Sequence, residues 1–306
     1  MYDLIIIGGG PAGLAAAVYA ARQRLNFCII TKDIGGQTLW SSDVENYLGY
    51  QLVSGPQLIE KFEEHIKAYN IEIKNDEVSE IKKKNSGFIV KCTKKEHETK
   101  TILIASGKKP RMLNVPGEKE LKGKGVTYCA TCDAPVFKGK KVAVVGGANA
   151  ALDAALLLEK YCQKVYLITI NDKMTGESSL IEKASKSKRI EIITKSGTKE
   201  IRGSRFVESI VIESYRKKKA LKVDGVFIEI GSIPSVDFDK LTKKNKWNEI
   251  IIHSQNYISN QTSVPGIFAA GDCTDVPEKQ IAVAAGEGVK AVLGVFKYLG
   301  KVKEGY

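Results

Sequence analysis

Short apolar runs and alanine-rich stretches alternate along this chain, with glycines at the joints. Leu4-Ile5-Ile6-Ile7 is an unbroken apolar run of strand length. A half-exposed strand would alternate apolar and polar, so this run reads as a strand covered on both faces. Leu14 to Arg22 is alanine-rich and reads as a helix, and Phe27-Cys28-Ile29-Ile30 is the next strand. The order returns later. Lys141-Val142-Ala143-Val144-Val145 reads as a strand, a helix is predicted from about Leu152 to Tyr161, and Val165-Tyr166-Leu167-Ile168 follows as a strand. Strands alternating with helices predict an α/β fold.

The joints between strand and helix are chemically specific. Gly8-Gly9-Gly10-Pro11-Ala12-Gly13 fits G-x-G-x-x-G. Its glycines permit a tight turn, close approach of a pyrophosphate and packing of the helix on the strand. The phosphates would then meet the positive end of that helix. Gly146-Gly147-Ala148-Asn149-Ala150-Ala151 repeats the pattern with changes. A third strand-like segment, residues 262–272, ends in Gly271-Asp272, and ligands of α/β sheets bind at such strand ends. The predicted architecture is two Rossmann-like dinucleotide-binding domains, the second inserted into the first. Residues 1–113 and 233–306 form the discontinuous domain and 117–231 the inserted one. Pro110, Pro116-Gly117 and Gly231 to Pro234 punctuate the two crossings. One element departs from the first fingerprint: the acid expected at the end of the second strand is replaced by Thr31-Lys32, with Asp33 displaced.

Composition narrows the picture. A chain of 306 residues with 43% hydrophobic content is ample for two cores. Its apolar runs are too short for a transmembrane helix. Asp3 and the absence of a basic leader argue against a signal peptide, so a cytoplasmic location is expected. The net charge of +12 comes from lysines spread along the chain. The densest runs, Lys82-Lys83-Lys84 and Arg216 to Lys219, resemble hairpin turns. No aromatic or helical reading motif accompanies them, so a solvated surface is expected and no nucleic-acid partner. Cys28, Cys92, Cys162 and Cys273 are scattered and read as free thiols of a reducing compartment.

The other two cysteines differ. Cys129-Ala130-Thr131-Cys132-Asp133 places two thiols two residues apart, able to close into a reactive disulfide, with an acid directly behind. A zinc site would need a second such pair or paired histidines; there is neither, and no metal is expected.

With these pieces assembled, the chain resembles the low-molecular-weight thioredoxin reductases over essentially its whole length. It is similar as well to the reductase portion of bacterial alkyl hydroperoxide reductase flavoproteins. The matching residues are Gly8 to Gly13, Gly35-Gly36-Gln37, Val44-Glu45-Asn46-Tyr47, Ala105-Ser106-Gly107, Cys129 to Asp133, Gly271-Asp272-Cys273 and Gln280-Ile281. The resemblance implies FAD in the discontinuous domain. Gly8, Gly10 and Gly13 would hold its pyrophosphate and Asp272 its ribityl chain. Gln37, Asn46 and Gln280 would surround the flavin, with Gly35, Gly36, Gly271 and Ile281 in the same set. It implies that Cys129 and Cys132 relay electrons to a thioredoxin- or glutaredoxin-like protein, that Asp133 is the general acid/base, and that the protein is a homodimer.

The inserted domain departs from the pattern of the family's NADPH users at two places. Ala148 stands where the second fingerprint glycine belongs, and its methyl group crowds a pyrophosphate. At the following strand end the family's NADPH users carry basic residues for the 2′-phosphate; this chain has Thr169-Ile170-Asn171. Losing charge-assisted bonds of roughly 1.5–3 kcal/mol each disfavours NADPH. The expected order of donors is NADH, then a non-nicotinamide donor such as ferredoxin or a deazaflavin, then NADPH. Gly146, Gly147, Ala148, Thr169 and Asn171 are the residues of that nucleotide site. Alternatives are a reductase component serving a peroxiredoxin and a flavin redox sensor without a donor. The CxxC argues against the ferredoxin–NADP reductase branch of the fold.

Overall fold

The computed structural model describes residues 1–40, 44, 46–256 and 258–303; of Trp40 and residues 301–303 it describes the backbone alone. The chain divides into two compact units: residues 1–109 with 233–306, and residues 110–232.

In the first unit, β1 (Tyr2–Gly9) lies between β2 (Phe27–Ile34) and a long strand at Glu96–Ile104. Both neighbours run parallel to it. Ile73–Asn75, labelled β3, extends the sheet beyond β2, and the Glu96–Ile104 strand is labelled β4. Ile267–Ala269 pairs parallel with the other edge of β4. Successive side chains of β1 serve opposite cores, as a period of two requires. Leu4 and Ile6 pack with Leu14, Ala17 and Val292. Ile5 and Ile7 pack with Phe88, Val90 and Ile102. All four are essentially inaccessible to solvent, which accounts for the unbroken apolar run. The connecting helix α1 spans Pro11–Arg22. It begins three residues earlier than its alanine-rich stretch suggests, because a proline fits the first helical turn. Lys82 to Lys84 close a strand beside a hairpin turn, and Arg216 sits in another turn at φ 65°.

In the second unit, β5 (Val126–Thr127), β6 (Lys141–Val145), β7 (Lys164–Ile168), β8 (Ile190–Ile193) and β9 (Gly225–Ile228) form a parallel sheet. Its order is β8-β7-β6-β9-β5. Val142 and Val144 face one core with Leu152 and Phe227, and Ala143 and Val145 face another with Ile168 and Ile210. Two helices matter for the site. The short α2 spans Ala130–Asp133 and α3 spans Asn149–Leu158. The latter lies three residues upstream of its expected Leu152–Tyr161 span. Ala148 takes the extended N-cap conformation, so the helix starts directly after the glycine turn. At the other end, Tyr161 and Cys162 already bond back to the Leu158 carbonyl.

Candidate active site and cofactor cleft

A cleft of about 300 Å³ opens in the first unit at the C-terminal ends of β1 and β4. Gly8, Gly10, Gly36, Gln37, Gly271, Asp272, Gln280 and Ile281 all line it. Two glycines show how the chain makes room there. At Gly8 (φ 112°) a Cβ would sit 2.3 Å from the Ala105 carbonyl oxygen. At Gly10, the N-cap of α1, a Cβ would meet nothing within 4 Å. The first therefore lets strands approach, and the second leaves space beside a helix N-terminus that carries no acid in its first turn. Such a cradle suits a diphosphate, which brings negative charge to the positive end of the helix.

Three expected residues stand apart from the cleft wall. Gly13 packs against the Gly8 carbonyl, where a Cβ would come within 2.0 Å. Gly35 packs against Leu39 and Ile59. Asn46 donates from Nδ2 to Gln280 Oε1 at 3.0 Å. Glu45, in the same run, lies outside the described residues.

The cleft also contains groups that the motifs do not mark. Thr31 Oγ1 accepts the Gly9 N–H at 3.0 Å, and Asp33 lies on the wall. Gln37 donates from Nε2 to the Lys108 carbonyl at 2.7 Å. Lys108 and Lys279 pair with Glu249 at 3.1 and 3.3 Å. Burial raises Glu249, but bonds from Asn245, Lys108 and Lys279 outweigh it and hold its carboxyl low. Asp272 goes the other way: burial raises its carboxyl, with Lys279 and Lys108 moderating the rise. The lysines carried no sequence signal, because their common partner Glu249 is remote from Lys108 in the chain.

In the second unit, Cys129 and Cys132 form a disulfide at the start of α2. Cys129 is the N-cap, and its Sγ accepts the Cys132 N–H at 3.1 Å. Its own N–H donates to Thr127 Oγ1 at 3.2 Å. The Thr127 hydroxyl donates to Asp133 Oδ2. Thus the acid behind the pair is connected to the first cysteine through a residue on β5. Cys132 is exposed, and Cys129 and Asp133 are half-buried. The remaining thiols are chemically different. Burial pushes Cys28 up to about 12 and Cys92, Cys162 and Cys273 to about 11. Thiols held that high supply little thiolate, the reactive form.

The second glycine turn is tightly framed. At Gly146 a Cβ would sit 2.2 Å from the Glu229 carbonyl oxygen, and at Gly147 it would sit 2.5 Å from Thr169 Oγ1. Thr169 is buried, while Ile170 and Asn171 are exposed. Asn149 is engaged with Glu177, its Nδ2 donating at 3.0 Å and its Oδ1 accepting the Glu177 N–H at 2.7 Å. The sequence shows no cation at this strand end; the fold brings one there. The Lys195 N–H donates to the Asn171 carbonyl at 2.9 Å, and its Nζ pairs with Asp172 at 3.6 Å. Lys195 follows β8, which lies beside β7, so only strand pairing reveals it.

Among the described residues no cluster of three or more His, Cys, Asp or Glu is arranged to hold a metal, and no helix is long and apolar enough to cross a membrane.

Comparison with known proteins agrees with this arrangement. The model of the pyridine nucleotide-disulphide oxidoreductases matches residues 2–288. The flavoprotein component of alkyl hydroperoxide reductase from Pseudomonas aeruginosa is 36% identical over 307 residues, covering 97% of this chain. The chain spans only 58% of the length of that relative. Thioredoxin reductase of Ureaplasma parvum is 39% identical, with 98% of this chain and 97% of that one covered. Among solved structures, thioredoxin reductase of Lactococcus lactis superposes with a TM-score of 0.88 at 31% identity, covering 98% and 100% of the two chains.

Proposed function

The chain belongs to the pyridine nucleotide-disulphide oxidoreductase family, and from that premise we propose that it is an FAD-dependent reductase of a thioredoxin-like protein disulfide. The observation that carries the proposal is the Cys129–Cys132 disulfide with Asp133 coupled to it through Thr127. FAD fits the cleft of the first unit, where Gly10 leaves open space before α1 and Asp272 offers a half-buried carboxyl. Bound there, it would supply the two electrons that open the disulfide.

The chain's own residues do the rest. Opening Cys129–Cys132 takes two electrons and two protons and leaves a dithiol. Asp133 Oδ2 is placed to give or take a proton, with the Thr127 hydroxyl holding it. One thiolate of the dithiol then attacks a sulfur of the partner disulfide, forming a mixed disulfide and releasing a partner thiolate that takes up a proton. The second cysteine attacks its neighbour's sulfur, closing Cys129–Cys132 again and freeing the reduced partner. Either cysteine can open the exchange.

NADH is the donor this site favours over NADPH. Ala148 carries a methyl group at the α3 N-cap, and Thr169 and Asn171 offer neutral groups at the strand end. The cation there, Lys195, is already paired with Asp172.

The test is anaerobic mixing of purified protein with NADH, NADPH and reduced ferredoxin in parallel, following flavin absorbance, then adding oxidised thioredoxin. Bleaching by NADH and recovery on adding thioredoxin are expected. Cys129→Ser and Cys132→Ser should each retain FAD and lose thioredoxin reduction. Thioredoxin turnover in either variant, or a protein that cannot take up FAD, rejects the proposal. Bleaching by ferredoxin alone moves the donor to the non-nicotinamide class.

A further inference from the structure

Glu229 comes directly after β9 and reaches the redox pair from a remote part of the chain. Its backbone N–H donates to the Val145 carbonyl at 2.8 Å. Its carbonyl oxygen abuts the Gly146 turn. With the main chain so held, its carboxylate accepts the N–H of Ala130, the residue that follows Cys129. The pair is therefore served by two carboxyls on separate tethers. Asp133 holds to the Thr127 hydroxyl, and Glu229 holds to the backbone at the head of α2.

We propose that Glu229 is a positioning residue for the reduced pair, which through the Ala130 N–H sets the pH at which the Cys129 and Cys132 thiols become thiolates. The proposal rests on the redox reading of that pair. Burial pushes the Glu229 carboxyl up to about 7, and the Ala130 N–H lowers it only in part. No ionised side chain enters that balance. The titratable groups on the elements around it are few. They are Cys129, Cys132 and Asp133 on α2 and its approach, Tyr128 before them and Asp153 on α3; β6 carries none from Val142 to Val145. Tyr128 is raised by burial and by its bond to Glu118, so it stays neutral, and burial raises Asp153.

The consequence is a charge that appears within the working pH range. Below about 7 the Glu229 carboxyl is neutral and adds no field. Above it, a carboxylate stands one residue from Cys129, and a like charge disfavours the thiolate. The influence is mutual, so the carboxyl and the thiols titrate as a set. Gln keeps an oxygen for the Ala130 N–H and removes the charge, which separates the two effects.

The test needs neither donor nor partner, so its failure is distinct from failure of the proposed function. The protein is reduced with dithiothreitol, freed of it, and alkylated with iodoacetamide between pH 5.5 and 9. The peptide carrying Cys129 and Cys132 is quantified by mass spectrometry. Glu229→Gln should react at the wild-type rate at pH 6 and about tenfold faster at pH 8, a change equivalent to one unit in thiol pKa. Glu229→Asp should restore part of the wild-type pH dependence. A Gln-to-wild-type ratio that is the same at every pH overturns the proposal, and so does a uniform loss of reactivity. If Glu229→Gln fails to fold, the wild-type profile decides: a second inflection near pH 7 supports the proposal and a single thiol titration overturns it.

Discussion

The Thr127 hydroxyl donates to the Asp133 carboxylate. The same oxygen receives the Cys129 N–H at 3.2 Å. One side chain thus fixes the acid and the first cysteine together, and the acid keeps its second oxygen for proton transfer. Thr127 is on β5, paired with β9 in the sheet, so the sheet sets the geometry of the redox loop.

Asp133→Asn should lower disulfide-reductase turnover by about 10²–10⁴-fold, the usual yield of a positioned acid or base. Thr127→Val should fold, because valine is nearly the same size, but it strands the Cys129 N–H. A loss of about 1–3 kcal/mol of stability is expected from that, with a smaller loss of turnover than in Asp133→Asn. Steady-state assays and urea unfolding of both variants check the order. Turnover in Asp133→Asn equal to wild type would remove Asp133 from the chemistry.

The two cleft glycines should separate folding from cofactor binding. Gly8→Ala puts a methyl group 2.3 Å from the Ala105 carbonyl at a φ of 112°, so it should destabilise the protein whether or not flavin is present. Gly10→Ala meets no protein atom within 4 Å. It should melt as the wild type does when stripped of flavin, yet bind FAD more weakly. Thermal unfolding of apo and flavin-loaded forms gives both readings. Equal FAD affinity in Gly10→Ala and wild type would place the diphosphate elsewhere.

What could be read from the sequence follows from what is local. β1 was legible because both its faces are buried, leaving a run with no polar interruption at Leu4 to Ile7. The redox pair was legible because Cys129 and Cys132 share one short helix. Helix ends were less so. The start of α3 at Asn149 depends on the extended backbone of Ala148, which residue type does not reveal. The contacts that tune the sites were not legible at all. Glu229 meets Ala130 only because β9 lies between β5 and β6, and Lys195 meets Asn171 only because β8 pairs with β7. Strand order, which the alternation of apolar residues leaves open, decides both.

Glu229 also predicts how stability changes with pH. Its carboxyl is raised on folding, from an ordinary value of 4.5 to about 7. Between those values the folded protein holds more protons than the unfolded chain, so stability falls as pH rises through the window. The loss is complete above about 7 and absent below 4.5, and it amounts to roughly 3 kcal/mol at most. Glu229→Gln lacks this titration. Urea midpoints of variant and wild type should agree near pH 4.5, and the variant should be the more stable at pH 8. A difference that does not change with pH would mean that the carboxyl ionises normally in the fold.

The donor site offers the sharpest test, because two defects at it act on different parts of a nucleotide. The Ala148 methyl group is at the N-cap of α3, where it crowds the pyrophosphate that NADH and NADPH share. Ala148→Gly should therefore speed flavin reduction by both. Ile170 and Asn171 are at the strand end, where a 2′-phosphate would find neutral side chains and a lysine already paired with Asp172. Ile170→Arg with Asn171→Arg should help NADPH alone, by roughly 2–4 kcal/mol if both guanidinium groups bond well. Lys195 gives an internal control. Asp172→Asn frees its ammonium group from a carboxylate, so NADPH should gain modestly while NADH is unchanged. The readout is the ratio of flavin reduction rates at equal, subsaturating nucleotide. Wild type reducing faster with NADPH than with NADH would refute the assignment. If the combined Ala148→Gly, Ile170→Arg and Asn171→Arg change moves neither rate, the second unit does not receive a nicotinamide, and reduced ferredoxin or a deazaflavin becomes the donor to test.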